Sequence, residues 1–321
     1  MIDIIIPCYN AHETLDRCLG SILCQRILPS IHVTLVNDAG KDYSEFIQRY
    51  SPIMNIQEIG YKENGGAAKA RNYGIENTNK PFIMFLDSDD ALANPFSVVT
   101  LLNEMQQKST NVIVIGTFIE EMAPLIFKKH ENDVSFMHGK LYKRAFLDKY
   151  NIRQNEKTRY NEDVGFNLLA RMISKTIGYT TPSIDFVASY WLQNPNSVVR
   201  HDKKNFDHGV SYQGFADNLT YVYEELQKRN IDSDQILAEK VTTMERLYLL
   251  YHQKTDGYPQ FKKDNLKCLK NYYNVVYRQI EDKVTDELFD EVYEALPFTN
   301  KSPYTKKDLK RFLIKIKGEN K

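Results

Sequence analysis

The chain has 321 residues, enough to bury a large core and to hold one catalytic domain with an appended region. Its 42 Lys and Arg balance 42 Asp and Glu, which excludes a global basic field for nucleic acid and leaves only a local patch. A hydrophobic fraction of 42% with 26% charged residues excludes global disorder, and no apolar run reaches membrane-spanning length.

Met1 leads directly into Ile2, Asp3 and Ile4 to Ile6, with no basic leader and no cleavage site of small residues, so no signal peptide is read and the expected location is the cytoplasm. That run, closed by Pro7, fits a central parallel strand. Pro7, Cys8, Tyr9 and Asn10 turn the chain, and residues 12–25 then place Leu15, Cys18, Leu19, Ile22 and Leu23 at helical spacing. Residues 31–36 are the next strand, ending in Asn37 and Asp38, and residues 54–59 a third. Polar residues stand at each carboxyl end. In an open parallel sheet ligands bind at that edge, which points to Asp38. The four cysteines, Cys8, Cys18, Cys24 and Cys268, show no Cys-x-x-Cys pair and read as reduced thiols.

Gly65 and Gly66, followed by Ala67, Ala68, Lys69, Ala70 and Arg71, read as a loop opening a helix that approaches something closely, with Lys69 or Arg71 facing it; a plain helix start with a solvated Arg is the alternative. Residues 82–90 follow, Phe-Ile-Met-Phe-Leu-Asp-Ser-Asp-Asp: a strand-length apolar run that ends in three carboxylates within four positions. If the run stays extended, Asp87 and Asp89 face one pocket and Ser88 turns away, which suits a divalent cation holding a diphosphate. A solvated acidic turn is the bland alternative.

A helix is expected over 96–105, a strand over 112–116 and a hairpin over 117–127. His138 to Arg144 leads a helix to Tyr150, and Arg159 to Asp163 precedes an apolar helical pattern, where the acids also suit a helix cap. Residues 184–192 alternate like a strand and run into a loop carrying Arg200 and His201, which suits phosphate contacts or a surface turn. From about Asn205 tyrosines, leucines and charges recur at helical spacing, predicting three to five helices over 215–227, 237–251, 261–280 and 284–296. Residues 306–317 form a short basic amphipathic helix. It suits an anionic membrane, nucleic acid, or packing with a solvated lysine face.

In order, Ile4 to Asn10, Val36-Asn37-Asp38, Gly65 to Gly74, Phe85 to Asp90 and Asn161-Glu162-Asp163 together resemble a family 2 glycosyltransferase of the GT-A fold, over roughly residues 1–200. The resemblance implies an α/β GT-A catalytic domain with a mostly parallel sheet, residues 1–204; the helical region, 205–321, lies outside the resemblance and suits acceptor binding or oligomerisation. It implies an inverting, metal-dependent transfer of a sugar from a nucleotide diphosphate donor, usually a UDP-sugar, to a hydroxyl. Pro7, Tyr9, Asn10 and Asp38 would hold base and ribose, with Gly66, Arg71 and Ser88 also lining the donor site. Asp89 would bind Mn²⁺ or Mg²⁺ directly, with Asp87 beside it and His201 as a further ligand or a plain surface histidine. Asp163 matches the general base, and Arg200 would clamp the diphosphate. Surface polysaccharide or teichoic acid synthesis fits the family best; glycosylation of a modified base in viral DNA, or a binding scaffold without turnover, fits the same residues.

Overall fold

The structure, a computed structural model, describes residues 1–194, 208–232, 263–283, 285–288, 290 and 307. Two compact units divide the chain: Met1–Glu156 with Phe166–Lys204, and Lys157–Gly165 with Asn205–Lys321.

The first unit is built on a nine-stranded sheet. Strands β1 (Ile2–Cys8), β2 (Ile31–Asp38), β3 (Asn55–Tyr61) and β4 (Phe82–Phe85) run parallel in the order β3-β2-β1-β4. Ile2, Ile4, Ile5 and Ile6 are fully buried, because a continuous apolar run can only be central, covered on both faces. Helix α1 (His12–Leu23) turns Leu15, Cys18, Leu19 and Ile22 into this core. Helix α3 (Ala67–Glu76) comes so close to β1 that a Cβ on Gly74 would stand 2.4 Å from Ile5 Cγ2. Short α2 (Ser44–Tyr50), absent from the sequence reading, links β2 to β3.

Beyond β4 lie β8 (Lys140–Lys143), β6 (Ile113–Ala123), β9 (Ser183–Trp191) and the two-residue β5 (Ala91–Leu92), while β7 (Ile126–His130) folds back on β6 as the expected hairpin. Strand β8 is antiparallel to both β4 and β6. That single reversal sets β6 and β9 running with the parallel strands again. The carboxyl ends of β1, β2, β4, β6 and β9 therefore share one edge. Helix α4 (Ser97–Gln107) precedes β6, and α5 (Arg144–Lys149) follows β8.

Strand β8 corrects the expectation of a helix led directly by residues 138–144. Lys140 sits in the sheet at 1% exposure, its ammonium donating to the Phe136 carbonyl and lying 3.5 Å from the Asp133 carboxylate. A lysine buried with its own partners gives no apolar signal.

At the opposite, amino edge, Arg144 closes the sheet. Its guanidinium donates to the carbonyls of Lys80 (2.6 Å) and Ile75 (2.6 Å), the Thr78 hydroxyl (2.6 Å) and Asp3 Oδ2 (2.9 Å).

Helix α6 (Glu162–Thr176) starts directly after Asn161, which adopts φ +56. In the second unit α7 (His208–Lys228) packs on α8 (Lys263–Val275), burying Leu219, Val222, Leu226, Tyr272 and Tyr273. The helices expected over 237–251, most of 284–296, and 306–317 except Lys307 lie outside the described residues. No helix among the described residues is long and apolar enough to cross a membrane.

Candidate active site

Strand β4 ends at Phe85, Leu86 still donates to the Ile5 carbonyl of β1, and then the chain turns. The Asp90 amide donates to the Asp87 carbonyl at 3.0 Å, closing an i to i+3 turn over Ser88 and Asp89. The expectation of an extended segment is thus corrected: a turn brings positions i and i+3 together, where a strand would align i and i+2. Asp87, Asp90 and His138 each offer a ligand atom within 4.8 Å of the others. Asp89 Oδ2 accepts from Asn194 Nδ2 at 2.9 Å. Helix α1 braces the turn from below, with Arg17 donating to the Asp89 carbonyl and the Cys18 thiol 3.6 Å from the Asp87 carbonyl.

Asp87 faces Arg71, its Oδ1 2.6 Å from the guanidinium. Arg71 is buried on α3 and also reaches Gln154 Oε1 at 3.3 Å. Burial pushes the Asp87 carboxyl up, but the Arg71 charge, then His138, outweigh it and leave Asp87 below its ordinary range. Asp89 moves the other way: burial, then the Asp87 charge, raise it against the Asn194 bond. Burial also raises Asp90, to about 6, although His138 opposes the shift. Asp90 Oδ1 accepts from the Leu192 amide at 2.9 Å. Its other oxygen is buried without a well-formed hydrogen bond among the described residues and lies 3.2 Å from His138 Nδ1. His138 in turn stacks on Trp191 at 4.8 Å and tilts against Phe118 at 5.0 Å.

Two carboxylates and an imidazole, one oxygen of them buried and poorly satisfied, form a donor set that suits a divalent cation. Asp90 and His138 were not singled out by the sequence reading. Asp90 lies in the same motif, and the turn geometry brings it to Asp87 and His138.

The donor-side residues lie along the same edge. Asp38 ends β2 and is buried; its Oδ1 accepts from the Gly65 amide at 2.6 Å, and its Oδ2 from Gly66 at 2.8 Å and Asn64 Nδ2 at 2.9 Å. Asp38 therefore shapes the glycine loop, and Gly66 adopts φ +85, open to glycine at little cost, to start α3. Pro7 lies near the end of β1; Tyr9 is 57% exposed and Asn10, at φ +53, accepts from the Lys41 amide at 3.1 Å. Lys69 sits over the Tyr61 ring at 4.4 Å. Asp163 stands in the first turn of α6, its Oδ1 accepting from the Val164 amide at 2.9 Å, and belongs to the second unit. Arg200 and His201 lie outside the described residues.

The family model described as Glycosyl transferase family 2 matches residues 3–176. The chain belongs to this family. It is therefore a glycosyltransferase, and the family match spans β1 to the end of α6, including the Asp87 turn, Arg71 and Asp163. A curated relative, the poly(ribitol-phosphate) beta-N-acetylglucosaminyltransferase TarP of Staphylococcus aureus, is 24% identical over 322 residues, covering 92% of this chain and 94% of TarP. Glycosyltransferase EpsJ of Bacillus subtilis is 26% identical over 222 residues, 62% of this chain; the match spans 63% of EpsJ, under two thirds of its length. Among solved structures, residues 1–349 of S. aureus TarS in complex with UDP-GlcNAc superpose with a TM-score of 0.69 at 16% identity, covering 97% of this chain and 89% of that one. This likeness shows the GT-A fold.

Proposed function

We propose that this family 2 transferase moves a sugar from a nucleoside diphosphate donor of the UDP-sugar type to a hydroxyl of a bacterial surface polymer, a polyol phosphate or polysaccharide, with inversion. The observation that carries the reading is the turn at the carboxyl end of β4, where Asp87, Asp90 and His138 converge beside the buried cation Arg71. Ligands of open parallel sheets lie outside that edge, at a switch in strand order, and the order here reverses between β1 and β4. The name of TarP and the UDP-GlcNAc bound to TarS support the donor and acceptor classes.

Asp87, Asp90 and His138 would hold a divalent cation, Mn²⁺ or Mg²⁺, which when bound neutralises charge on the leaving diphosphate. Arg71 keeps Asp87 ionised for that task. Asp38 fixes the glycine loop that carries α3, so the helix start faces the donor with its backbone amides in place. Asp163 accepts the proton of the acceptor hydroxyl while that oxygen bonds to the anomeric carbon and the bond to the diphosphate breaks on the opposite face. A carboxylate on the acceptor side and cationic help on the leaving side is what such a displacement requires.

The test is calorimetric titration with UDP, with and without Mn²⁺, on the wild type and on Asp90→Ala. Metal-dependent binding that the variant loses supports the donor half; binding indifferent to both metal and variant removes the metal site. Asp163→Asn should lower turnover by about 10²–10⁴-fold while UDP still binds, and retained turnover would take Asp163 out of the base role.

A further inference from the structure

At the amino edge of the sheet, opposite the Asp87 turn, the first unit holds a cavity of about 460 Å³. Small-molecule sites are of this size. Strand register builds its floor: Asp3, His32 and Asn55 stand side by side across β1, β2 and β3, and Thr34 pairs with Gln57 two residues further on. They share the face on which α3 packs, because Ile5, the residue that meets Gly74, pairs with Thr34. Helix α3 ends at Glu76, and the turn from Asn77 to Lys80 walls the cavity. A sheet face beneath a helix is ordinarily apolar. Here the alternate residues of β2 and β3 begin as His32, Thr34, Asn55 and Gln57, and turn apolar only at Val36 and Ile59.

Amides dominate the lining. Asn55 and Gln57 come from β3, Asn77 and Asn79 from the turn after α3, and all four are exposed. Gln57 Nε2 donates to Thr34 Oγ1 at 3.1 Å and Asn77 Nδ2 to the Tyr73 carbonyl at 2.9 Å, so each keeps its amide oxygen for an outside donor. An amide sets donor and acceptor side by side, which matches a pair of neighbouring hydroxyls. Charge narrows the ligand further. Asp3 Oδ2 is already held by the Arg144 guanidinium at 2.9 Å and the Lys80 amide at 2.7 Å, which leaves little for a cation. An anion would meet the carboxyl end of α3, whose dipole opposes it, and of the basic side chains in the lining Lys80 is charged, while burial and then the Lys80 charge push His32 down toward its neutral form. The apolar members Val33 and Met54 are themselves buried, at 1% and 7% exposure, so an apolar ligand gains little. A neutral ligand rich in hydroxyls fits what remains.

We propose that this cavity binds a neutral polyhydroxylated unit, a saccharide or polyol, and holds it at the edge of the sheet away from catalysis. Its hydroxyls replace lining water hydrogen bond for hydrogen bond. A ligand here lies at the opposite edge from Asp87, Asp90 and His138, so it is held rather than transformed. Binding needs neither nucleotide nor metal. The same chemistry comes from a free sugar or from one unit of a polymer chain.

The experiment follows the amide NMR signals of the full chain, without nucleotide or metal, on titration with glucose, N-acetylglucosamine and ribitol, with inorganic phosphate as the anionic control. At least one neutral ligand should move the side-chain NH₂ signals of Asn55 and Asn79 and leave the backbone amides of residues 87–90 in place. The double substitution Asn55→Leu with Asn79→Leu, at two exposed positions, should weaken that binding about tenfold through the loss of two hydrogen bonds, with thermal unfolding to verify that the fold is kept. Chitotetraose binding more tightly than N-acetylglucosamine would support the cavity and assign it a polymer; equal affinity would support it and assign a free sugar. Silence from all three neutral ligands overturns the assignment. So do shifts with phosphate alone, shifts confined to residues 87–90, or undiminished binding by the double variant.

Discussion

Two buried arginines meet an aspartate from β1 or the end of β4, at opposite edges of the same sheet. At the amino edge Arg144 gives its donors to two carbonyls, a hydroxyl and Asp3, and the Asp3 side chain is 3% exposed. At the carboxyl edge Arg71 is as deeply buried, but the Asp87 side chain it grips is 31% exposed and shares its surroundings with Asp90 and His138. The chemistry of the pair is the same. What separates a strut from a site is the coordination left over: Asp3 is enclosed by protein donors, whereas Asp87 keeps one face toward the edge where ligands bind.

Replacing Arg144 with Met should give the largest effect, because it strands Asp3 in the interior without its cation. A loss of about 3–5 kcal/mol in urea unfolding is expected, and a loss near zero would mean that water reaches Asp3 and that the two edges are alike. Arg71→Met should cost less stability, about 1–3 kcal/mol, because Asp87 can turn to solvent. Its sharper consequence is electrostatic. Arg71 holds the Asp87 carboxyl below its ordinary value, so Asp87 favours the fold above that range and loses the benefit as acid protonates it. Without Arg71 the carboxyl rises, and protons compete with a cation for Asp87 as they already do for Asp90 near pH 6. Mn²⁺ affinity by calorimetry should therefore fall more steeply from pH 7 to pH 5 in the variant than in the wild type; parallel curves would show that the pair at the carboxyl edge is a strut too.

Asp38→Asn should act more weakly still. It keeps one acceptor for the Gly65 and Gly66 amides and turns an NH₂ toward the other, so about 1 kcal/mol of stability and a modest loss of UDP affinity are expected. Thiol labelling gives the smallest change. Burial pushes Cys8 and Cys18 up, leaving almost no thiolate at pH 8, whereas Cys24 is exposed. Cys24 should react with a disulfide reagent first, and equal rates for Cys8 would mean that the core between β1 and α1 opens.

Much of the carboxyl edge was legible in the sequence, because continuous apolar runs announce buried strands and the polar residues that end them mark the crevice. Asp38, Arg71 and the Asp87 stretch could all be named that way. The partnership of Asp90 with His138 could not, since it depends on a single backbone hydrogen bond that turns the chain after Asp87 and on a histidine that reaches the turn from just before β8. Strand β8 stayed hidden for a related reason: Lys140 looks like surface until Phe136 and Asp133 are placed around it. The amino-edge strut was equally invisible, because nothing local in Asp3 announces a partner so far along the chain.

The contact between Arg144 and Asp3 joins residues 141 positions apart. A ribosome delivers β1, β2, β3 and β4 in the first 85 residues, and these strands can pair as each arrives. Asp3 must then wait for its guanidinium until Arg144, 141 positions later, has been made. During synthesis the nascent sheet thus carries an uncompensated carboxylate at its base, and its final locking is timed by translation past codon 144 rather than by the pairing of its first strands.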